Sequence, residues 1–253
     1  MKHRLLALLL LPLCLWAEPS GGESAEAWLK RAAEAEAAFE IAQALEYYQK
    51  ADALRPNDSV ILQKIAQQLS DLTLKTRGEA EKKAQAEKAL AYAKRAVELA
   101  PDNAVNVLSL AICYGKMGVF SDTRTKIEYS RLVLQEAERA AALDPNYDWA
   151  HHVLGRWHYE VASLGTATRF VVRLIYGGLP AASHAQAIKS LEKAVGLAPD
   201  RVPHHLELGF AYLAAGREDE ARKSFERGLE LPSRELYDES AKERARAALE
   251  KLG

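Results

Sequence analysis

The run Leu208-Gly209-Phe210-Ala211-Tyr212, followed by Ala221, Phe225 and Pro232, decides how this chain folds. Small residues at Gly209 and Ala221 let two helices approach closely, and Tyr212 and Phe225 fill the space between them. Pro232 closes the unit because proline cannot continue a helix. The same order of residues recurs upstream. Anchored on Pro56, Pro101, Pro145 and Pro199, it tiles the chain into units Ala25–Asp58, Ser59–Asn103, Ala104–Tyr147 and Asp148–Arg201, with a fifth starting at Val202.

A helix pair repeated at about 34 residues carries the tetratricopeptide pattern L-G-x2-Y, A-x3-F, P. Each pair leaves an apolar face that only a neighbouring pair covers, so the pairs stack into a solenoid with a concave binding surface. The expected fold is therefore an all-α tetratricopeptide-like solenoid of about five helix pairs spanning residues 25–232. After Pro232, Leu236, Ala241, Ala245, Ala248, Leu249 and Leu252 form an apolar stripe on a charged background. Residues 233–253 read as the polar-backed capping helix that a solenoid end needs.

Units two, three and four are longer than the repeat, at 45, 44 and 54 residues. In units two and three the surplus is strongly helical, so Glu79–Leu99 and Thr123–Leu143 each read as one long second helix, Gly78 breaking off the first and Ser121 capping the second. The surplus of unit four differs. Gly165 ends its first helix, and Thr166–Tyr176 follows with Phe170, Val171, Leu174 and Ile175 on one face and Arg169 and Arg173 on the next. Gly177-Gly178-Leu179-Pro180 breaks the chain, and Ser183-x-x-Gln186 is a capping box that restarts the second helix. This is a short, basic, amphipathic helix inserted between two hinges.

Lys2, His3 and Arg4 precede the apolar run Leu5–Leu15, which at 11 residues is too short to span a bilayer and suits an export signal. The reading is a signal peptide over residues 1–17, cut near Ala17, then a polar linker over 18–24, giving a periplasmic or secreted protein. The alternative is a membrane anchor in the same segment. Cleavage removes Lys2 and Arg4, leaving 32 basic residues against 35 acidic ones. No basic field favours nucleic acid as a partner. Cys113 would remain as the single cysteine, so packing rather than a disulfide must supply stability.

The block Ala150-His151-His152-Val153-Leu154-Gly155-Arg156-Trp157-His158-Tyr159-Glu160-Val161-Ala162-Ser163-Leu164 goes beyond general repeat pattern. With Tyr92-Ala93-Lys94-Arg95-Ala96-Val97-Glu98-Leu99-Ala100-Pro101 and Tyr114-Gly115-Lys116-Met117-Gly118, it resembles the regulator of microtubule dynamics family over Ala25 to Pro232. The insertion with its Gly-Gly-Leu-Pro exit sits where that family carries an extra helix. The resemblance implies an all-α repeat protein without enzymatic activity. Animal members are associated with microtubules, and some with membrane contact sites and lipid. The N-terminus departs from the animal pattern, carrying an export-type signal in place of a long anchor and linker, which marks an exported bacterial-type member.

In such repeats, positions 2, 5, 9, 12 and 13 of each first helix face the concave side. They supply Leu108, Ile112 and Lys116 from unit three, Trp149, His152, Arg156 and Tyr159 from unit four, and Leu206, Phe210 and Leu213 from unit five. This lining is apolar with a cationic cluster at Lys116, His152 and Arg156. It suits an amphipathic protein segment, or alternatively a lipid or other apolar small molecule with an anionic head. The insertion helix, with Arg169, Phe170, Arg173 and Leu174, reads either as a lid over this groove or as its permanent filling. His151, His152 and His158 lack the same-turn spacing and the extra ligands of a metal site. No phosphate loop, nucleophile elbow or zincin motif is present. The expectation is a non-enzymatic binding or scaffold protein without cofactor or metal, with a protein partner, an alternative role as lipid carrier or sensor, and a microtubule role through the resemblance alone.

Overall fold

Close approach of helices at fixed sequence intervals dominates the architecture. A computed structural model describes residues 23–253, in which twelve helices and no strand occur. The expected signal peptide and linker residues 18–22 lie outside these described residues. Helices α1 (Ala25–Ala37) and α2 (Ile41–Leu54) form the first pair, α3 (Ser59–Leu72) and α4 (Glu79–Leu99) the second, and α5 (Ala104–Val119) and α6 (Thr123–Leu143) the third. In the fourth pair α7 (Asp148–Ala162) packs on α9 (His184–Leu197), with α8 (Thr166–Tyr176) inserted between them. Helices α10 (Val202–Ala214) and α11 (Glu218–Glu230) make the fifth, and α12 (Asp238–Leu252) follows.

The repeat register is visible in burial. The eighth residue of each first helix is Ala32, Ala66, Ala111, Gly155 or Gly209, and each of these alanines is fully buried. At the glycines even a methyl group would collide. A Cβ on Gly209 would lie 2.5 Å from Phe225 Cδ1, and one on Gly155 would lie 2.5 Å from Leu191 Cγ and 3.1 Å from the Ala187 carbonyl oxygen. The second helices answer with Ala44, Ala89, Ala187 and Ala221, also fully buried or nearly so. The core runs through the stack as successive clusters, each drawn from adjacent pairs.

Helix starts follow the expected chemistry. Asp58 and Asn103 accept backbone N–H groups at the starts of α3 and α5, and Ser183 accepts from Gln186 at the start of α9. For α6 the cap is Asp122, one residue beyond the expected Ser121, and its carboxylate accepts from Thr125 N at 2.9 Å. Two histidines staple neighbouring units. His151 and His205 stand at equivalent places, and each ring Nε2 donates to the carbonyl of the preceding unit's closing proline, Pro145 at 3.0 Å and Pro199 at 2.9 Å. A proline carbonyl at a helix end has lost its helical partner, so each histidine satisfies an orphan acceptor.

The C-terminal segment departs from expectation. Its helix begins at Asp238 rather than near Ser233. The buried Asp238 carboxylate accepts from the backbone N–H of Arg234 at 2.8 Å and of Glu235 at 2.9 Å, which holds residues 234–237 outside the helix. Beyond that segment α12 caps the stack as anticipated, with Ala241 and Ala245 packed into the core of the fifth unit.

Candidate functional site

The first helices α3, α5, α7 and α10 bring the groove positions to one side of the stack, but the lining divides into three kinds. Leu108 and Leu206 are fully buried and belong to the core. Ile112 is exposed, and Trp149, Tyr159, Phe210 and Leu213 are half-buried. Phe210 meets Phe225 edge-on with centroids 4.9 Å apart, and the Arg244 guanidinium of α12 lies 4.7 Å from its centroid.

The expected cationic cluster of Lys116, His152 and Arg156 does not form as a free anion site. Arg156 is paired with Glu160 at 3.2 Å and stands 3.6 Å from the buried Glu207, which Arg244 also binds at 2.7 Å. His152 is buried and uncharged. Burial first, then the neighbouring His204 and Arg156, hold its pKa well below the usual histidine value. Lys116 turns toward Asp71 of α3, and burial lowers its pKa.

No motif signals the polar network that the fold builds around His152. Asp148 Oδ2 accepts from His204 Nε2 at 2.8 Å and from Arg201 Nε at 2.7 Å. His204 Nε2 donates to the carboxylate, and the other ring nitrogen, Nδ1, faces His152 Nδ1 at 3.0 Å. Burial opposes ionisation of Asp148, but His204 and Arg201 outweigh it and its pKa is lowered. Trp149 closes the set, its ring 4.9 Å from His152 and 5.0 Å from His204, with Arg201 5.4 Å from its centroid. Only the fold reveals this arrangement, since Asp148 and His204 are separated by 56 positions. No group of three or more histidine, cysteine or acidic residues arranged for a metal occurs among the described residues.

These histidines make stability pH-dependent. Burial lowers the pKa values of His152, His158 and His205 alike. The unfolded chain therefore takes up protons at these sites once pH falls below about 6.5, while the folded chain resists them. Stability is full above that value and falls below it. Thermal melts from about pH 7.5 to about pH 5 should show a steadily decreasing Tm, and His152→Gln should reduce the slope. An unchanged slope in that variant would remove His152 from the account.

What occupies the groove is the C-terminal segment 234–237, a strap between α11 and α12. Tyr237 Oη donates to Asp71 Oδ1 at 2.7 Å, and Lys116 Nζ donates to Tyr237 Oη at 3.4 Å while lying 5.5 Å from its ring centroid. Burial raises the pKa of Asp71, against the Tyr237 hydrogen bond and the charge of Lys116. Glu235 pairs with Arg201, and Arg234 with Asp200 at 2.9 Å. A cavity of about 350 Å³ remains beside the strap, bounded by Glu36, Phe39, Asp71, Trp149, Glu235 and Leu236 among others.

The insertion helix is not at this groove. Arg131 of α6 donates to the carbonyls of Tyr176, at 2.6 Å, and Gly178, so α8 is tied to a second helix at its C-terminal end. Its neighbours are the end of α7 and the Leu179–Ala182 turn, across a cavity of about 440 Å³. Arg169, Phe170, Arg173 and Leu174 are all exposed, and none of them borders the cavity beside the strap. The lid and filling readings of this helix do not match the observed placement, because α8 and its exit glycines border the end of α7 and the Leu179–Ala182 turn and not the cavity beside the strap.

A model of the family described as Regulator of microtubule dynamics protein 1-3 matches residues 26–253. The chain belongs to the regulator of microtubule dynamics family. Regulator of microtubule dynamics protein 3 of Xenopus laevis is 30% identical over 89 residues, covering 35% of this chain and 19% of that protein. Protein 1 of Bos taurus is 26% identical over 104 residues, covering 41% and 33%. Protein 2 of Homo sapiens is 24% identical over 132 residues, covering 52% and 32%. The matches thus span a third or less of these relatives' length. Among solved structures, a thermophilic TPR protein of Thermus thermophilus superposes with a TM-score of 0.66 at 21% identity, covering 89% of this chain and 99% of that one. MamA of Desulfovibrio magneticus gives 0.50 at 18% identity, covering 83% and 96%. These likenesses establish the tetratricopeptide-like fold.

Proposed function

We propose that this family member is a non-enzymatic binding protein whose concave groove takes an extended segment of a protein partner, and that its own strap stands in that segment's place. The supporting observation is the strap itself. Residues 234–237 cross the concave side outside any helix and engage Asp71 and Lys116, on α3 and α5, through one side chain, Tyr237. A carboxylate at Glu235 paired with Arg201, an apolar side chain at Leu236 and a phenol at Tyr237 outline the chemistry a partner would present. An anionic lipid head is less suited to this groove, since Glu36, Asp71 and Glu235 border its cavity. Export from the cytoplasm with residues 1–17 removed is part of the proposal. Action on microtubules is carried by the relatives' names, and the groove reading does not depend on it.

A peptide with the sequence of residues 232–239 tests the groove directly. Leu236→Gly with Tyr237→Gly should free the groove, and the labelled peptide should then bind, read by fluorescence polarisation. The unaltered chain should bind it at least about tenfold more weakly, because a tethered strap competes at an effective concentration in the millimolar range. Asp71→Ala should abolish the gain. No binding to the strap variant, with its helix content intact by circular dichroism, would defeat the proposal.

A further inference from the structure

The insertion helix α8 presents an uncovered apolar face. Phe170 is 65% exposed, Val171 47%, Leu174 73% and Ile175 62%, the largest group of exposed apolar side chains on any one helix among the described residues. At about 100° per residue, Phe170, Leu174, Ala167, Val171 and Ile175 fall within an arc of about 140°. Val172, the one buried residue of α8, lies outside that arc, as do Arg169 and Arg173, with Arg173 the nearer of the two to its edge. The apolar face therefore looks away from the body of the protein. The helix packs along no other described helix, has no side-chain cap at Gly165, and leaves at its other end through Gly177 and Gly178, both at positive φ.

Charge along this stretch of the chain is one-sided. Between Glu160 and Glu192 the chain contains no acidic residue, although acidic residues slightly outnumber basic ones overall. Arg169 and Arg173 are exposed and form no ion pair among the described residues. We infer that α8 is an interfacial helix that seats the protein on the surface of an anionic bilayer, its apolar face at the acyl boundary and its two arginines reaching up among the head groups. A bare amphipathic helix with arginines outside its apolar arc, in an acid-free stretch, is what such a surface binds. A second protein molecule fits less well. Eleven residues make a helix of about 17 Å, far short of the roughly 800 Å² per partner that a stable protein interface buries.

This seating involves no groove residue, and its test reads position 170 alone. The mature chain, residues 18–253, with Phe170→Cys carries an environment-sensitive fluorophore at residue 170. Cys113 does not compete for the label, being buried with its thiol pKa pushed up to about 12. Vesicles of phosphatidylglycerol should shift the emission to the blue, and vesicles of phosphatidylcholine should not. Arg169→Glu with Arg173→Glu should raise the half-saturating vesicle concentration at least about tenfold, since each charge near an anionic surface is worth roughly fivefold. The same label at Glu226 of α11 should not respond. Unchanged emission at residue 170 with phosphatidylglycerol would overturn the inference. So would a blue shift that grows with protein concentration in the absence of vesicles, which would instead assign the face to a second copy of the chain.

Discussion

Phe225→Ala will destabilise the fifth repeat by about 3–5 kcal/mol, the usual cost of emptying a large aromatic site. Phe225 is fully buried, stacks edge-on with Phe210 and fills the gap left by Gly209. Helix α10 cannot collapse into the void, because its approach to α11 is also held by Gly228 against Leu206. The effect should stay local. Each pair of helices packs mainly on its neighbours, so the loss need not propagate through the stack. Hydrogen exchange should show α10, α11 and α12 losing protection while α1 to α4 keep theirs. Uniform loss along the chain would mean that it unfolds as one cooperative unit. The strap gives this experiment a second readout, since loosening the fifth repeat and α12 should also release Tyr237 from Asp71, near the other end of the stack.

Asp148→Ala should cost about 2–3 kcal/mol, the penalty of leaving a buried donor without an acceptor. His204 is fully buried, and the carboxylate of Asp148 accepts a hydrogen bond from its Nε2. Without Asp148 nothing accepts from His204 Nε2, and the His204 ring that faces His152 loses its anchor. Arg201 loses one of two acidic partners but keeps Glu235, so its own contribution should be smaller. Chemical denaturation of Asp148→Ala and Arg201→Ala separates the two effects. Equal losses would assign the cost to the arginine pair, which solvent screens on the Arg201 side, where the side chain is 37% exposed. A much larger loss for Asp148→Ala would assign it to the buried histidines.

The sequence alone determined what repeats locally. The spacing of Ala32, Ala66, Ala111, Gly155 and Gly209 fixes helix pairing, because each close approach is decided within one unit of the chain. For the same reason Glu79–Leu99 and Thr123–Leu143 were readable as long second helices with their observed limits. The bounds of α8 were legible too, from Gly165 and the Gly177-Gly178 break. Tertiary structure alone decided which groove positions are surface and which are core. Leu108 and Leu206 share the helical face of Ile112 and Phe210, yet packing of the neighbouring pair buries the first two completely. It also turned His152 from an expected cation into a buried neutral ring, through Asp148 and His204. The strap was illegible for the strongest reason. Tyr237 and Asp71 are 166 residues apart, and the rotation between successive repeats that brings them within 2.7 Å accumulates along the stack and is encoded in no single unit.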